Sequence, residues 1–344
     1  MFNNRFIIIG PLPIRNRPES FGGATVLMQS FIDWLDFGFI FVQTNRYSGS
    51  FSGLLNFLKI LMSLILNSRF YDVVMLNVST RGFFSLVPLL IIWSKIFSKK
   101  ILLRKFGGDL HYVYAKSSKL KKWMIRFCFK KSFRVYLETK ESIEYFKGEL
   151  GYEDKFIWFP NCRSAVNIIR KSSFEKKFVF IGKVSDSKGV LEYLEAARFF
   201  STEYVFDVYG PIDSLSISLD ELKGINFRYC GTLNPEDVLH KLSLYDVIVL
   251  PTYYNGEGYP GVLIEALSLG LPVISTNWRA IPELITHLEQ GYLVAPRNVG
   301  ELVDAIKHFN ESNYLEYSKN ALKRFELFDS EVVYKNILND IKSL

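Results

Sequence analysis

Short apolar runs alternate along the chain with longer stretches in which apolar residues recur every three or four positions. In the first half Arg5–Gly10, Phe39–Val42, Tyr71–Asn77 and Lys100–Phe106 read as strands, with a Pro/Gly-rich loop after the first and a helical run from about Gly23 to Asp36. A second series starts near Lys177 with FVFIG, continues with a helix from about Ser187, and then YVFDVYG, INFRYCG, DVIVLPT and PVIST. Strands that are apolar at every position are buried on both faces, so they predict parallel sheets covered by helices on both sides. The expected fold class is therefore α/β, two doubly wound units in tandem with the join near Pro160–Ser173. The boundaries that follow are 1–165, 166–325 and a closing segment, 326–344. In that segment Val333, Ile337, Ile341 and Leu344 share one helical face and need an apolar partner. Packing back across the junction and capping the second unit are both open.

Two other apolar runs, 54–66 and 83–93, are shorter than the roughly 20 residues that span a bilayer. Lys59 interrupts the first and Lys95 follows the second, so both are expected as buried helices. The apolar run in MFNNRFIIIG is short for a signal peptide. Cys128, Cys162 and Cys230 are scattered without a C-x-x-C pair, which argues against a disulfide framework or a zinc site and fits a reducing compartment. A cytoplasmic location is expected, peripheral on the inner face of the membrane if the basic segment below engages lipid. The 344 residues carry a net charge of +7, unevenly placed. Met1–Arg163 holds 24 Lys and Arg against 11 Asp and Glu, whereas the remainder holds 18 against 24. Such asymmetry points to an anionic surface or ligand for the first half. Its densest part, 116–131 (KSSKLKKWMIRFCFKK), interleaves seven basic residues with Trp123, Met124, Phe127 and Phe129. That combination suits an anionic membrane surface, or a packed helix with a solvated basic face; no nucleic-acid module is recognisable, and nucleic acid is not expected.

In open α/β sheets ligands bind beyond the carboxyl ends of the strands. Three loops in the second half have suitable chemistry. Gly182 and Lys183 end one strand, with Lys188-Gly189 near a helix start, where lysines and free N–H groups can neutralise phosphate. Gly210 ends another strand in the turn Tyr209-Gly210-Pro211. In the third, DVIVLPT runs through YYNGEGYPG into a helix with Pro260 at its start, Gly261 and Val262 offering its first N–H groups. Glu257 precedes this helix and Glu265 sits on its second turn; a carboxylate repels phosphate, so both suit hydroxyls, a sugar for Glu257 and a ribose for Glu265. Taken singly, these lysines and glutamates also read as solvated or dipole-compensating surface charges.

The run E-G-Y-P-G-V-L-I-E-A-L-S-L-G-L-P-V-I-S-T (257–276), followed by I-P-E-L-I (281–285) and G-Y-L-V (291–294), resembles the signature of glycosyltransferase family 4 with its E-x7-E motif. F-I-G-K with K-G-V, the Y-G-P turn, C-G-T-L (230–233) and P-N (160–161) add to the likeness, and the first half matches more loosely through Gly22-Gly23 and R-K-F-G-G-D (104–109). The resemblance implies a GT-B fold, two Rossmann-like domains facing across a cleft. It also implies a retaining transfer from a nucleotide-diphosphate sugar; a glycan or polyprenyl-diphosphate-linked acceptor, in surface polysaccharide synthesis, is the expectation that the basic aromatic segment 116–131 adds. No cofactor and no metal are implied, and the sequence lacks the D-x-D of metal-dependent architectures. By position, Lys183 and Lys188 match the basic pair on the diphosphate, Glu257 the residue at the donor sugar, Glu265 the residue on the ribose, and Gly22 and Gly23 the loop near the leaving phosphate. Where many members carry a histidine near the reacting carbon, this chain has Lys105-Phe106-Gly107-Gly108-Asp109, which makes Asp109 the candidate there, with His111 the nearest histidine. An epimerase of GT-B architecture and a non-catalytic sugar-nucleotide-binding subunit are the alternatives. A dinucleotide oxidoreductase is disfavoured by Gly10-Pro11-Leu12-Pro13, which is not G-x-G-x-x-G.

Overall fold

The computed structural model of the chain describes residues 5–14, 22–44, 52–168, 173–216 and 226–343. Leu344 and parts of the Pro/Gly-rich loop and of the expected join lie outside the described residues. The chain divides into two compact units, Met1–Asn161 with Tyr334–Leu344, and Cys162–Val333.

The first unit runs β1 (Phe6–Gly10), α1 (Gly23–Trp34), β2 (Phe39–Gln43), α2 (Ser52–Leu66), β3 (Val73–Val78), α3 (Thr80–Ile96), β4 (Lys100–Lys105), α4 (Leu110–Ala115), α5 (Lys119–Lys131), β5 (Arg134–Leu137), α6 (Lys140–Leu150) and β6 (Phe156–Trp158). Its parallel sheet has the order β2-β1-β3-β4-β5-β6. From β2 onward every connection moves the same way across the sheet, and right-handed crossovers then set α2, α3, α5 and α6 on one face. The core agrees: Ile60 and Leu64 of α2, Val87 and Leu90 of α3, and Phe129 of α5 pack with Ile7, Ile9, Val74 and Leu76. The step from β1 to β2 reverses direction and places α1 on the opposite face. There Phe31 packs edge-on against Tyr334 at 5.2 Å between ring centroids, and the Tyr334 hydroxyl bonds to Ser30 Oγ at 3.1 Å.

The second unit runs β7 (Lys177–Ile181), α7 (Val190–Ala197), β8 (Val205–Tyr209), β9 (Arg228–Tyr229), α8 (Val238–Leu242), β10 (Val247–Leu250), α9 (Gly261–Ser268), β11 (Val273–Thr276), α10 (Ile281–Leu284), β12 (Gly291–Val294), α11 (Val299–His308) and α12 (Glu311–Phe325). Its parallel sheet has the order β12-β11-β10-β7-β8-β9, which in chain order is the 3-2-1-4-5-6 arrangement of the Rossmann fold. The last helix, α13 (Ser330–Lys342), buries Val333, Ile337 and Ile341 as its spacing predicts. From Tyr334 on it belongs to the first unit, where Asp340 accepts from Tyr136 Oη at 2.7 Å and Arg134 Nε at 3.1 Å.

Three expectations need correction. The helix placed from Ser187 is a 3-10 turn, Asp186–Lys188, and α7 starts only at Val190, because Gly189 takes a left-handed φ of 76° between them. Of the described part of INFRYCG, 226–231, only Arg228–Tyr229 pairs in the sheet, and Ile225 lies outside the described residues. The apolar runs 54–66 and 83–93 do form helices, but α2 and α3 are buried on one side only: Leu58, Met62, Ile65 and Leu66, and likewise Leu89, Ile92 and Ile96, face outward. Inward positions at i, i+4 and i+7 satisfy the core; nothing in the hydrophobic pattern marks the outward residues as different.

Candidate functional site

In the second unit β7 and β10 are neighbours from which the chain leaves in opposite directions, so their exit loops part and open a crevice at the carboxyl edge. Two glycines shape it. A Cβ on Gly189 would sit 2.1 Å from Pro251 O, so only glycine lets the β7 loop close against the exit of β10. At Gly210, with φ 141°, a Cβ would meet Gly182 O at 1.7 Å, which ties the exits of β7 and β8 together. Gly182 has only side-chain atoms, at 3.8 Å and beyond, in the direction of a Cβ, so it presents bare backbone.

Both carboxylates of the E-x7-E motif are held by cations. Glu257 is buried, and its Oε2 accepts from Lys188 Nζ at 2.6 Å and Thr252 Oγ1 at 2.7 Å. Lys188 Nζ also lies 5.1 Å from the Tyr254 ring centre. Glu265 Oε1 accepts from Arg163 Nε at 2.6 Å. The Arg163 guanidinium lies across the start of α9, where a Cβ on Gly261 would fall 1.8 Å from its Nη2. The Arg163 backbone is fixed on both sides, its N–H donating to Phe328 O at 3.0 Å and its carbonyl accepting from Ser330 N at 2.8 Å. Pro260 is the N-cap of α9 and Gly261 its first residue, so the N–H groups of Gly261 and Val262 open the helix beside this guanidinium.

Of the expected residues, Lys188 and Glu257 meet in the loop before α9, Gly210 backs Gly182 at the exits of β7 and β8, and Pro260, Gly261, Val262 and Glu265 belong to the start of α9 beside Arg163. Lys183 stands further out: its side chain is 65% exposed and bonds Asp213 at 3.0 Å, which holds the Asp213 carboxyl below its ordinary range. The sequence reading missed Arg163 and Thr252. Arg163 lies two residues after the P-N pair, and Thr252 two residues beyond the buried strand β10; a basic residue this close to P-N was the available signal. Glu283 of the I-P-E-L-I segment accepts from the Tyr259 hydroxyl, which steadies the residue before Pro260.

In the first unit Asp109 accepts from the buried Lys105 ammonium and, at 3.1 Å, from Thr80 Oγ1. Its carboxylate thereby compensates a cation that has almost no water contact. His111 is buried, with Nδ1 at 2.7 Å from Ser142 Oγ, a packed position. A Cβ on Gly22 or Gly23 would meet nothing within 4 Å, so the backbone at the start of α1 is open to approach. A cavity of about 260 Å³ lies where β1 and β3 part, lined by Thr44, Asn77, Ser79 and Arg81 among others. In α5, Ile125, Cys128 and Phe129 face the core, leaving Trp123 and the lysines outside. Among the described residues no group of three or more His, Cys, Asp or Glu is placed to hold a metal ion.

A family model described as Glycosyl transferases group 1 matches residues 175–311, which contain the whole crevice apart from Arg163. Over these residues the chain is similar to that family, in keeping with the glycosyltransferase resemblance read from its motifs. It is 30% identical over 142 residues to the amylovoran biosynthesis glycosyltransferase AmsK of Erwinia amylovora, covering 38% of this chain and 34% of that protein. It is 24% identical over 213 residues to the N,N'-diacetylbacillosaminyl-diphospho-undecaprenol alpha-1,3-N-acetylgalactosaminyltransferase of Campylobacter jejuni, covering 61% and 50%. The matches thus span a third and a half of those relatives' lengths. The crystal structure of Anabaena HepE in complex with UDP matches 99% of this chain and all of that one, with a TM-score of 0.74 and 14% identity. The whole-chain likeness shows the GT-B fold expected from the motifs.

Proposed function

We propose that the chain is a retaining glycosyltransferase of the family 4 type, moving a sugar from a nucleotide-diphosphate sugar to a hydroxyl of a glycan or lipid-linked acceptor in surface polysaccharide synthesis. The observation that carries this reading is the pair of ion pairs at the crevice, Lys188–Glu257 and Arg163–Glu265. Each couples a phosphate-seeking cation to a hydroxyl-seeking carboxylate. A diphosphate entering beside the start of α9 takes the cations, and the carboxylates turn to hydroxyls, Glu257 to the sugar and Glu265 to the ribose. Charge accumulating on the departing diphosphate is then met by Lys188, Arg163 and the first N–H groups of α9, with Lys183 closing from outside; preorganised groups of this kind supply much of an enzyme's rate. No metal or cofactor is needed for this countercharge. Acceptor binding is assigned to the first unit, near its cavity at β1 and β3 and the open backbone of Gly22 and Gly23.

The relatives support the substrate classes: HepE was solved with UDP, and the Campylobacter enzyme is named for a diphospho-undecaprenol-linked acceptor. A location on the cytoplasmic face of a membrane follows, with the basic side of α5 towards anionic lipid. No helix among the described residues is long and apolar enough to cross a membrane. The reading is tested by thermal shift against UDP-, GDP- and ADP-sugars, since a ligand bound to the native state raises apparent stability. A shift with one base class is expected; no shift with any nucleotide at millimolar concentration overturns the proposal.

A further inference from the structure

We infer that the outward faces of α2 and α3 form an apolar docking ridge for an anionic lipid surface, with α5 as its electrostatic flank. The two helices lie on the same face of the first sheet, and α5 packs beside α3 on that face. On α2 the outward residues are Leu58, Met62, Ile65 and Leu66, spaced at i, i+4, i+7 and i+8, so they form one stripe. On α3 Leu89, Ile92 and Ile96 repeat the pattern at i, i+3 and i+7. Leu66 is 71% exposed and Ile96 73%, the values of side chains standing in solvent. Singly exposed leucines need no explanation, but two apolar stripes on helices of the same face mark an interaction surface.

Charge selects the partner. From 52 to 131 the sequence has fifteen Lys or Arg, and Asp72 and Asp109 are its two acids. Asp72 faces Arg5 at 3.7 Å and Asp109 is taken by Lys105, so neither offsets the outer surface. Lys59 and Lys95 are exposed among the apolar residues, and Lys119, Lys121, Lys130 and Lys131 are exposed on α5 with Trp123 and Leu120. An apolar stripe rimmed by lysines suits the boundary between acyl chains and anionic headgroups. At 15 and 17 residues the helices are too short to span a bilayer, so their faces are satisfied by lying in its surface. A second copy of the chain would bring one basic face against another. The ridge deepens the lipid-linked acceptor reading, and it is tested without donor, acceptor or turnover, so that either can fail alone.

The test is co-sedimentation of the full chain with vesicles of phosphatidylglycerol and phosphatidylethanolamine, and with pure phosphatidylcholine, at 0.05 and 0.5 M salt. The chain is expected to bind the anionic vesicles, with part of the binding surviving high salt. The double substitution Met62→Gln with Ile96→Gln should weaken binding by at least about tenfold and abolish the salt-resistant part. Lys130→Gln with Lys131→Gln should weaken binding at low salt and flatten its salt dependence. Leu66→Gln at the end of α2 repeats the first test if the melting temperature of the double variant falls. Failure of the unsubstituted chain to bind, unchanged binding in the ridge variants, or a dimer in solution that the ridge substitutions dissociate would each overturn the inference.

Discussion

The two units share six parallel strands, yet they place their chemistry on different parts of the same scaffold. In the second unit it is concentrated at the carboxyl edge, where two carboxylates and two cations are paired across loops that glycines hold in backbone contact. In the first unit the ionic groups at that edge are absorbed by packing, as with Asp109 on Lys105, while the outer helices α2, α3 and α5 carry exposed apolar surface and nine Lys or Arg without an Asp or Glu among them. A doubly wound sheet thus offers two surfaces for function, the strand ends for small ligands and the helix backs for large ones.

The comparison breaks most readily at Lys188. Lys188→Ala should lower turnover by about 10²–10³-fold, the scale for loss of one preorganised charge stabiliser. Near-normal transfer rates in that variant would remove the ionic edge from the chemistry. Asp109→Asn should instead act on stability, lowering it by a few kcal/mol because a buried cation loses its counter-charge. Thermal unfolding reads this directly; lost turnover at an unchanged melting temperature would move catalysis into the first unit. Arg163→Ala should reduce affinity for a nucleoside diphosphate by about tenfold, one charge-assisted bond, and leave the nucleoside alone nearly unaffected. Equal losses for both in calorimetry would make Arg163 a support for Glu265 only. The smallest effect is expected at Glu192 in α7, whose carboxyl is pushed up by burial. The folded state holds its ionised form at a penalty that is full above the raised value, fades as pH falls from the raised to the ordinary value, and is gone below the ordinary one. Glu192→Gln should therefore stabilise the chain at neutral pH by less than about 1 kcal/mol and lose the gain near pH 4. A gain independent of pH in denaturant titrations would assign the effect to packing.

The second site was largely legible because local rules build it: a strand, a glycine, then a helix start with Pro260 at its cap. Glu257 and Glu265 could be placed from spacing along one loop and one helix. The cations that hold them were harder. Lys188 belongs to the same loop series, but Arg163 reaches Glu265 from a segment 102 residues earlier, a meeting that periodicity cannot foresee. The ridge was misread for a different reason. Leu90 and Leu89 are the same residue type in one apolar run, and only the fold shows that the first enters the core and the second does not.

The order in which the chain is made gives the packing of Tyr334 a further meaning. Phe31 and Phe159 of the first unit await a ring translated 173 residues after Asn161, an interval on the order of 10–35 seconds at ~5–20 residues per second. During that time the α1 side of the first sheet lacks its final cover, although all twelve of the helices and strands from β1 to β6 have been synthesised. Nascent chains stalled before residue 330 should therefore hold an open aromatic face, a natural handle for chaperones and a reason for the first unit to mature last.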